Sequence, residues 1–435
     1  MKKSVIDIFS GCGGLSIGLS QAGFEHVFAL EKNQHAFQSY FKNIIKGKKY
    51  ESSWPNWLSL GPNCILDVIN KHREELLKLN GQITLLAGGP PCQGFSMNGK
   101  RDQNDPRNLL VNAYFEFAEL IRPKIILLEN VRGFASMSHS KGALFPEYAK
   151  ETLDALGYHT NDKVLYASDW GVPQKRPRYF LIGFHKEHFR NFDVFEMMEK
   201  YKSEFFGEVG LPISPTNLKS AIGDLKIEGK KLVKDVEFGN KGFYALDYRV
   251  PKRKSKYLKY LRRGSYGRLT DLRLPRHRSN TVQRFKFIQE NCENGKNLSK
   301  NLRKECGLKK RSMRLLDETI PAPTITTLPD DFIHYDEPRI LTVREMARIQ
   351  SFPDHYSFCG PYTTGGLRRK KDCPRYTQVG NAVPPLLARA IGFILVRAIS
   401  DHGISNLANC CQLIDKDISA RGEIGNSHID TPIFV

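Results

Sequence analysis

The sequence has no run of 18 consecutive apolar residues, and its opening MKKSVIDIF leads into a glycine-rich turn rather than an apolar stretch with a small-residue cleavage site. Both absences argue against a membrane or secreted protein. No CxxC pair occurs among the nine cysteines, an odd number in a 435-residue chain long enough to bury a core without covalent staples. Mostly free thiols in a reducing compartment are expected. Acidic residues are scarce, 46 Asp and Glu against 66 Lys and Arg, which leaves a net charge of +20. That imbalance makes nucleic acid the first partner to consider. At 40% hydrophobic and 26% charged the composition is nonetheless globular, which excludes wholesale disorder. No solenoid-type repeat is present.

The excess charge is concentrated in one block. From Lys252 to Arg311 there are 20 Lys or Arg and only the acids Asp271, Glu290, Glu293 and Glu305, a net +16. Tyr257, Tyr260, Tyr266, Phe285 and Phe287 are interleaved with the cations, and Gly and Pro break the run. A surface that grips phosphate has this composition.

The first 185 residues read differently. Short β-branched runs (SVIDIF, HVFALE, ITLLAG, KIILLEN, KVLYA, YFLIGF) alternate with longer amphipathic stretches, the pattern of an α/β fold with a largely parallel sheet. The alternation fades near Asn191 and helical periodicity returns near Thr342, so the middle reads as an insertion. Pro384 to Ser400 has helical apolar spacing after a proline start, and it is expected to pack near the first glycine turn.

That turn, Ser10-Gly11-Cys12-Gly13-Gly14, follows SVIDIF and precedes a helix-like stretch and the run HVFAL, which ends in Glu31. A glycine turn lets a ligand approach the backbone, and a carboxylate ending the next strand can accept two ribose hydroxyls. The spacing is that of a nucleoside site. The dinucleotide pattern GxGxxG is absent, so a nucleoside without a pyrophosphate, such as S-adenosylmethionine, fits better than a nicotinamide cofactor.

ITLLAGGPPCQGFS sets Cys92 on a proline-stiffened loop after a strand, at the edge where open α/β sheets hold their chemistry. In order along the chain, Asp7 to Leu15, Gly88 to Ser96, Glu129-Asn130-Val131, Gln174 to Arg178 and Gln378 to Asn381 together resemble the DNA (cytosine-5) methyltransferases, of the prokaryotic restriction-modification type. The match spans about residues 4–185 and 320–397, and the spacer falls where that family carries its target-recognition domain.

The resemblance implies a Rossmann-like S-adenosylmethionine-dependent methyltransferase sheet with a smaller inserted domain. It divides the chain into residues 1–185, a recognition domain 186–322 with the basic block 252–311, a return 323–400 and a tail 401–435. It implies Cys92 as nucleophile, Glu129 at N3 of a flipped cytosine, Arg178 at O2 and Arg176 in support. The polar segment Met97 to Asn108 is expected to close on the base. For the cofactor it implies Phe9, Gly11, Gly13, Gly14, Glu31, Asp67, Pro90, Leu110, Asn381 and Val383, although the glycine usual before the acid is Leu66 here. Arg344 matches a position that orders the recognition domain, and PTITTL at Pro323 to Leu328 the stretch that closes it.

Expected partners are double-stranded DNA and a cognate restriction endonuclease, for a monomer in the bacterial cytoplasm at the nucleoid, with no membrane association. No metal is expected, because Cys292, Cys306, Cys359 and Cys373 lack the close pairing of zinc sites. Methylation of RNA, a DNA-binding repressor without turnover, and a nicotinamide oxidoreductase are the competing readings.

Overall fold

The apolar runs form strands whose successive side chains alternate between two buried faces. The structure, a computed structural model, describes residues 3–47, 53–91, 108–137, 144–237, 242–265, 267–310, 312–365 and 372–403. Its main strands are β1 (Ser4–Ile8), β2 (Glu25–Leu30), β3 (Leu85–Gly88), β4 (Ile125–Val131), β5 (Tyr158–Tyr166), the short β6 (Gln174–Lys175) and β7 (Pro177–His185). Six of them make one sheet in the order β2-β1-β3-β4-β7-β5. Neighbours from β2 to β4 are parallel, whereas β7 runs antiparallel between β4 and β5. Val5, Leu85, Ile125 and Ile182 point into one core and Ile6, Leu86, Ile126 and Leu181 into another. Burial on both faces explains why these strands read as continuous apolar runs.

Helices cover both faces. On the first lies α1 (Gly14–Gln21); on the second lie α2 (Ile65–Lys71), α3 (Asn108–Ile121) and α4 (Phe145–Ala155). The chain returns to the first face with α5 (Val343–Ile349), α6 (Arg375–Asn381) and α7 (Pro385–His402). Pro384 and Pro385 begin α7 as expected, since proline presets the backbone of a first helical turn. The stretch Arg375–His402 is long and apolar enough to cross a membrane, yet 72% of its apolar window is buried within the protein, as in a core helix. Contact between α1 and α7 is backbone-close. A Cβ at Gly18 would overlap Ala388 Cβ and Pro385 O, and one at Gly392 would lie 2.7 Å from Ala22 Cβ.

The spacer contains more helix than its weak periodicity suggested. Asp193 caps Val194–Lys200, accepting from Phe195 N at 2.7 Å, and that helix buries Val194, Phe195 and Met198 in the same core as α1 and α7. Two smaller apolar clusters lie further along, one of Leu225, Leu246, Leu269 and Leu272 and one that includes Phe285, Ile288, Leu302, Leu315 and Ile333. Many cations of the basic block are exposed, among them Lys252, Lys256, Lys259, Arg268 and Arg276. Arg262 is spent internally on Asp354 at 3.0 Å.

Candidate active site

The carboxyl ends of β1, β2, β3 and β4 open on a cavity of about 500 Å³. β1 ends in a turn with three left-handed residues, Phe9 at φ 61°, Gly11 at 56° and Gly13 at 88°. For Phe9 that conformation costs on the order of 1–2 kcal/mol, compensated by the packed surroundings. A Cβ at Gly11 would meet nothing within 4 Å, so backbone faces the open cavity there. Gly13 lacks a Cβ for a different reason: one would sit 2.7 Å from Ile44 Cδ1.

Glu31, the first residue past β2, folds back on this turn. Its Oε2 accepts from Gly11 N at 3.0 Å and its Oε1 from Asn33 N at 2.6 Å. Burial raises its carboxyl pKa, against the two backbone donors that lower it. Below the turn, Asp7 Oδ2 accepts from the Ser16 hydroxyl, while its buried Oδ1 has no hydrogen-bond partner among the described residues. Burial pushes the Asp7 carboxyl up to about 7.

On the other side of the cavity, Glu129 on β4 pairs with Arg178 on β7, Oε1 to Nε at 2.8 Å, with side chains only 12% and 10% exposed. Burial raises the Glu129 pKa, and the guanidiniums of Arg178 and Arg176 oppose that rise. Arg176 is buried and donates to Ile325 O at 2.8 Å and Gly380 O at 2.7 Å, which ties β6 and β7 to the loop 324–327 and to α6. Asn130 Nδ2 donates to Pro90 O at 3.3 Å, fixing the proline turn against β4. A Cβ at Gly89 would lie 2.7 Å from Glu129 Oε2.

Of the residues singled out in the sequence, Phe9, Gly11, Gly14, Glu31, Pro90 and Leu110 line this cavity. So do Glu129, Arg176, Arg178, Asn381 and Val383, the last two from the end of α6 and the link to α7. Gly13 packs behind the turn rather than lining it. Asp67 is exposed in the first turn of α2 and does not reach the cavity, because Ile65, two residues earlier, takes the inward position. The wall there is Asn63, Cys64 and Ile65; Asn63 and Cys64 come from an irregular loop with no periodic signal. Cys92 and residues 97–107 lie outside the described residues, and Asn108 begins α3. Residues 404–435 of the tail lie outside them as well.

Arg344 is fully buried and donates to Thr270 O at 3.0 Å, to Asp271 Oδ2 at 3.3 Å and to Tyr356 O. Cys306 belongs to the cluster around Phe285 and Cys292 packs against it, whereas Cys373 lies on the cavity wall. His185, Glu187 and His188 bring ligand atoms within 4.8 Å of one another at the opposite end of β7, where burial lowers the pKa of both histidines.

A doubly wound sheet with an antiparallel strand second from its edge, and a cavity bounded by a glycine turn and a strand-terminal acid, defines a Rossmann-like methyltransferase of the S-adenosylmethionine-dependent class. The profile of the C-5 cytosine-specific DNA methylases matches residues 3–396. The chain is 32% identical over 422 residues to the Type II methyltransferase M.DdeI of Desulfomicrobium norvegicum, covering 92% of each. It is 30% identical over 422 residues to the Type II methyltransferase M.XorII of Xanthomonas oryzae, covering 91% of this chain and 84% of the relative. A solved structure from an E. coli prophage, described as a DNA modification methyltransferase, shares the fold at a TM-score of 0.62 and 24% identity, over 92% of this chain and 99% of the other. The chain belongs to the C-5 cytosine-specific DNA methylase family and is a DNA (cytosine-5)-methyltransferase.

Proposed function

We propose that this enzyme methylates C5 of a cytosine flipped out of a short double-stranded DNA site, through a bond between Cys92 and C6, and thereby shields DNA from a cognate restriction endonuclease. What carries the reading is the buried Glu129–Arg178 pair at 2.8 Å, opening on the same cavity as the glycine turn and Glu31.

The cavity suits S-adenosylmethionine. Its volume of about 500 Å³ is that of a small-molecule site, its lining is largely apolar, and Glu31 offers a carboxylate where ribose hydroxyls would sit. Phe9, Gly11, Gly14, Leu110 and Val383 would hold the remainder. When bound, the cofactor supplies an electrophilic methyl group on sulfur, which C5 accepts once activated.

Activation falls to the protein. C5 of cytosine is a weak nucleophile, and addition of the Cys92 thiolate to C6 moves the C5–C6 electron pair toward C5, N3 and O2. Glu129, whose burial favours the protonated carboxyl, meets N3 as a donor, and Arg178 meets O2 as charge develops there. Arg176 holds the strand that presents Arg178. After methylation the C5 proton leaves to a base, the C5–C6 double bond re-forms and the Cys92–C6 bond breaks. The spacer 186–322, with its block 252–311, supplies phosphate contacts for affinity and base-edge contacts for site choice.

Incubation of the protein with unmethylated plasmid and tritiated S-adenosylmethionine, followed by nucleoside analysis, tests the reading. Label in 5-methylcytosine is expected. Label in RNA alone, or DNA binding with no label, would overturn it.

A further inference from the structure

One of the four acids in the basic block does not face solvent. Asp271 is buried at φ 65°, and its carboxylate accepts from Arg375 Nη1 at 2.7 Å, Arg344 Nη2 at 3.3 Å and Phe358 N at 3.3 Å. Next to it, the hairpin of Leu232–Lys234 and Tyr244–Leu246 delivers a second acid, Glu237. Both Glu237 oxygens engage Arg375, Oε1 with Nη2 and Oε2 with Nη1 at 3.2 Å. The Tyr362 ring lies between Arg375 and Arg273, 4.3 and 4.2 Å from their guanidinium carbons, and Arg273 in turn donates to Glu237 O at 2.7 Å. Two carboxylates from the spacer therefore grip the first residue of α6.

The opposite end of α6 is cavity wall. Gln378, Gly380 and Asn381 line the cavity, Gly380 O accepts from Arg176, and Gly380 has no room for a Cβ against Thr326 O. Seven residues of helix, about 10 Å long, form a stiff rod, so displacement at Arg375 is transmitted to Asn381. Of the two acids, Asp271 is sealed, whereas Glu237 is 45% exposed, and the exposed Arg276 of the basic block lies 5.1 Å over the Phe243 ring of the same hairpin. A polyanion drawn to that surface acts on Glu237 first.

Building on the cofactor reading above, we propose that Glu237 is a positioning residue for the cofactor cavity: through Arg375 it sets the cavity end of α6 and couples DNA occupancy of the spacer to cofactor affinity. Linkage then requires the coupling to be reciprocal.

The test is calorimetric titration of the full-length protein with S-adenosylhomocysteine, with and without cognate duplex, for wild type, Glu237→Gln and Glu237→Asp. Wild type binds with an affinity that changes when duplex is present. Glu237→Gln binds about 3- to 10-fold more weakly and loses the duplex effect, Glu237→Asp recovers part of both, and melting temperature stays near wild type. Glu237→Gln with wild-type affinity in both titrations overturns the proposal. Should that variant fail to fold, wild-type behaviour of Glu237→Asp overturns it. Wild type that binds no S-adenosylhomocysteine overturns the cofactor reading itself, a distinguishable failure.

Discussion

Arg178 reaches Glu129 diagonally across two antiparallel strands: Arg178 is paired in register with Val131, and Glu129 with Phe180, yet Nε and Oε1 meet at 2.8 Å. A directly opposed pair would project both groups from one level of the sheet. The diagonal leaves the Glu129 carboxyl short of the strand end and brings the longer arginine back to it, with burial and the guanidinium pulling its pKa in opposite directions.

Glu129→Gln keeps the shape and a hydrogen-bond donor but cannot pass a proton to N3. Turnover is expected to fall by about 100-fold with DNA affinity nearly unchanged, checked by label transfer and gel shift. Wild-type turnover would remove Glu129 from the chemistry.

Cys92→Ser is expected to abolish turnover while leaving DNA binding largely intact. A serine hydroxyl is far less ionised than a thiol at neutral pH, so addition to C6 stops. Normal turnover in the variant would exclude Cys92 as nucleophile.

Gly18→Ala places a methyl where Ala388 and the Pro385 carbonyl already sit. A loss of about 1–3 kcal/mol in urea unfolding is expected, since backbone from α7 must shift. An unchanged midpoint would mean that α1 and α7 pack less closely than described.

Asp7 gives a pH test. Burial lifts its folded pKa from 3.8 to about 7, helped by the charge of Glu31 and opposed by the Ser16 hydroxyl. The folded protein therefore retains a proton that the unfolded chain releases, so this contribution is full below the unfolded pKa and is lost as pH rises toward about 7. Asp7→Asn mimics the protonated form. Its melting temperature relative to wild type should rise between about pH 4 and pH 7 and level off above that, while His26, held down to about 4 by burial, titrates alike in both. A flat difference would refute the shift.

Local order was the legible part of the sequence. From Ser4 to Glu31, strand, glycine turn, helix, strand and terminal acid follow from patterning within 30 residues, and Glu31 does meet Gly11. The six sheet strands were likewise visible as β-branched runs. The reversal of β7 was not, because strand direction is set by tertiary packing rather than by side-chain period. Asp67 shows the same limit at one residue: an acid two positions past Ile65 is on the solvent side of α2, and only the helix phase reveals it. In the sequence Asp271 is one of four acids in a basic block, yet in the fold it is an internal anchor for two arginines.

Cys12 in the glycine turn donates its thiol hydrogen to Gln378 O at 3.6 Å, across 366 positions of chain, and the Tyr356 hydroxyl donates to Cys12 O across 344. At about 5–20 residues per second, a ribosome needs roughly 20–70 s after making the turn to make its partners. Throughout that interval Leu15, Ile17 and Leu19 await a helix that has not been synthesised. The cavity is thus among the last parts of the molecule to exist, and a growing chain carries uncovered apolar surface, a client for chaperones, well before it can carry an active enzyme.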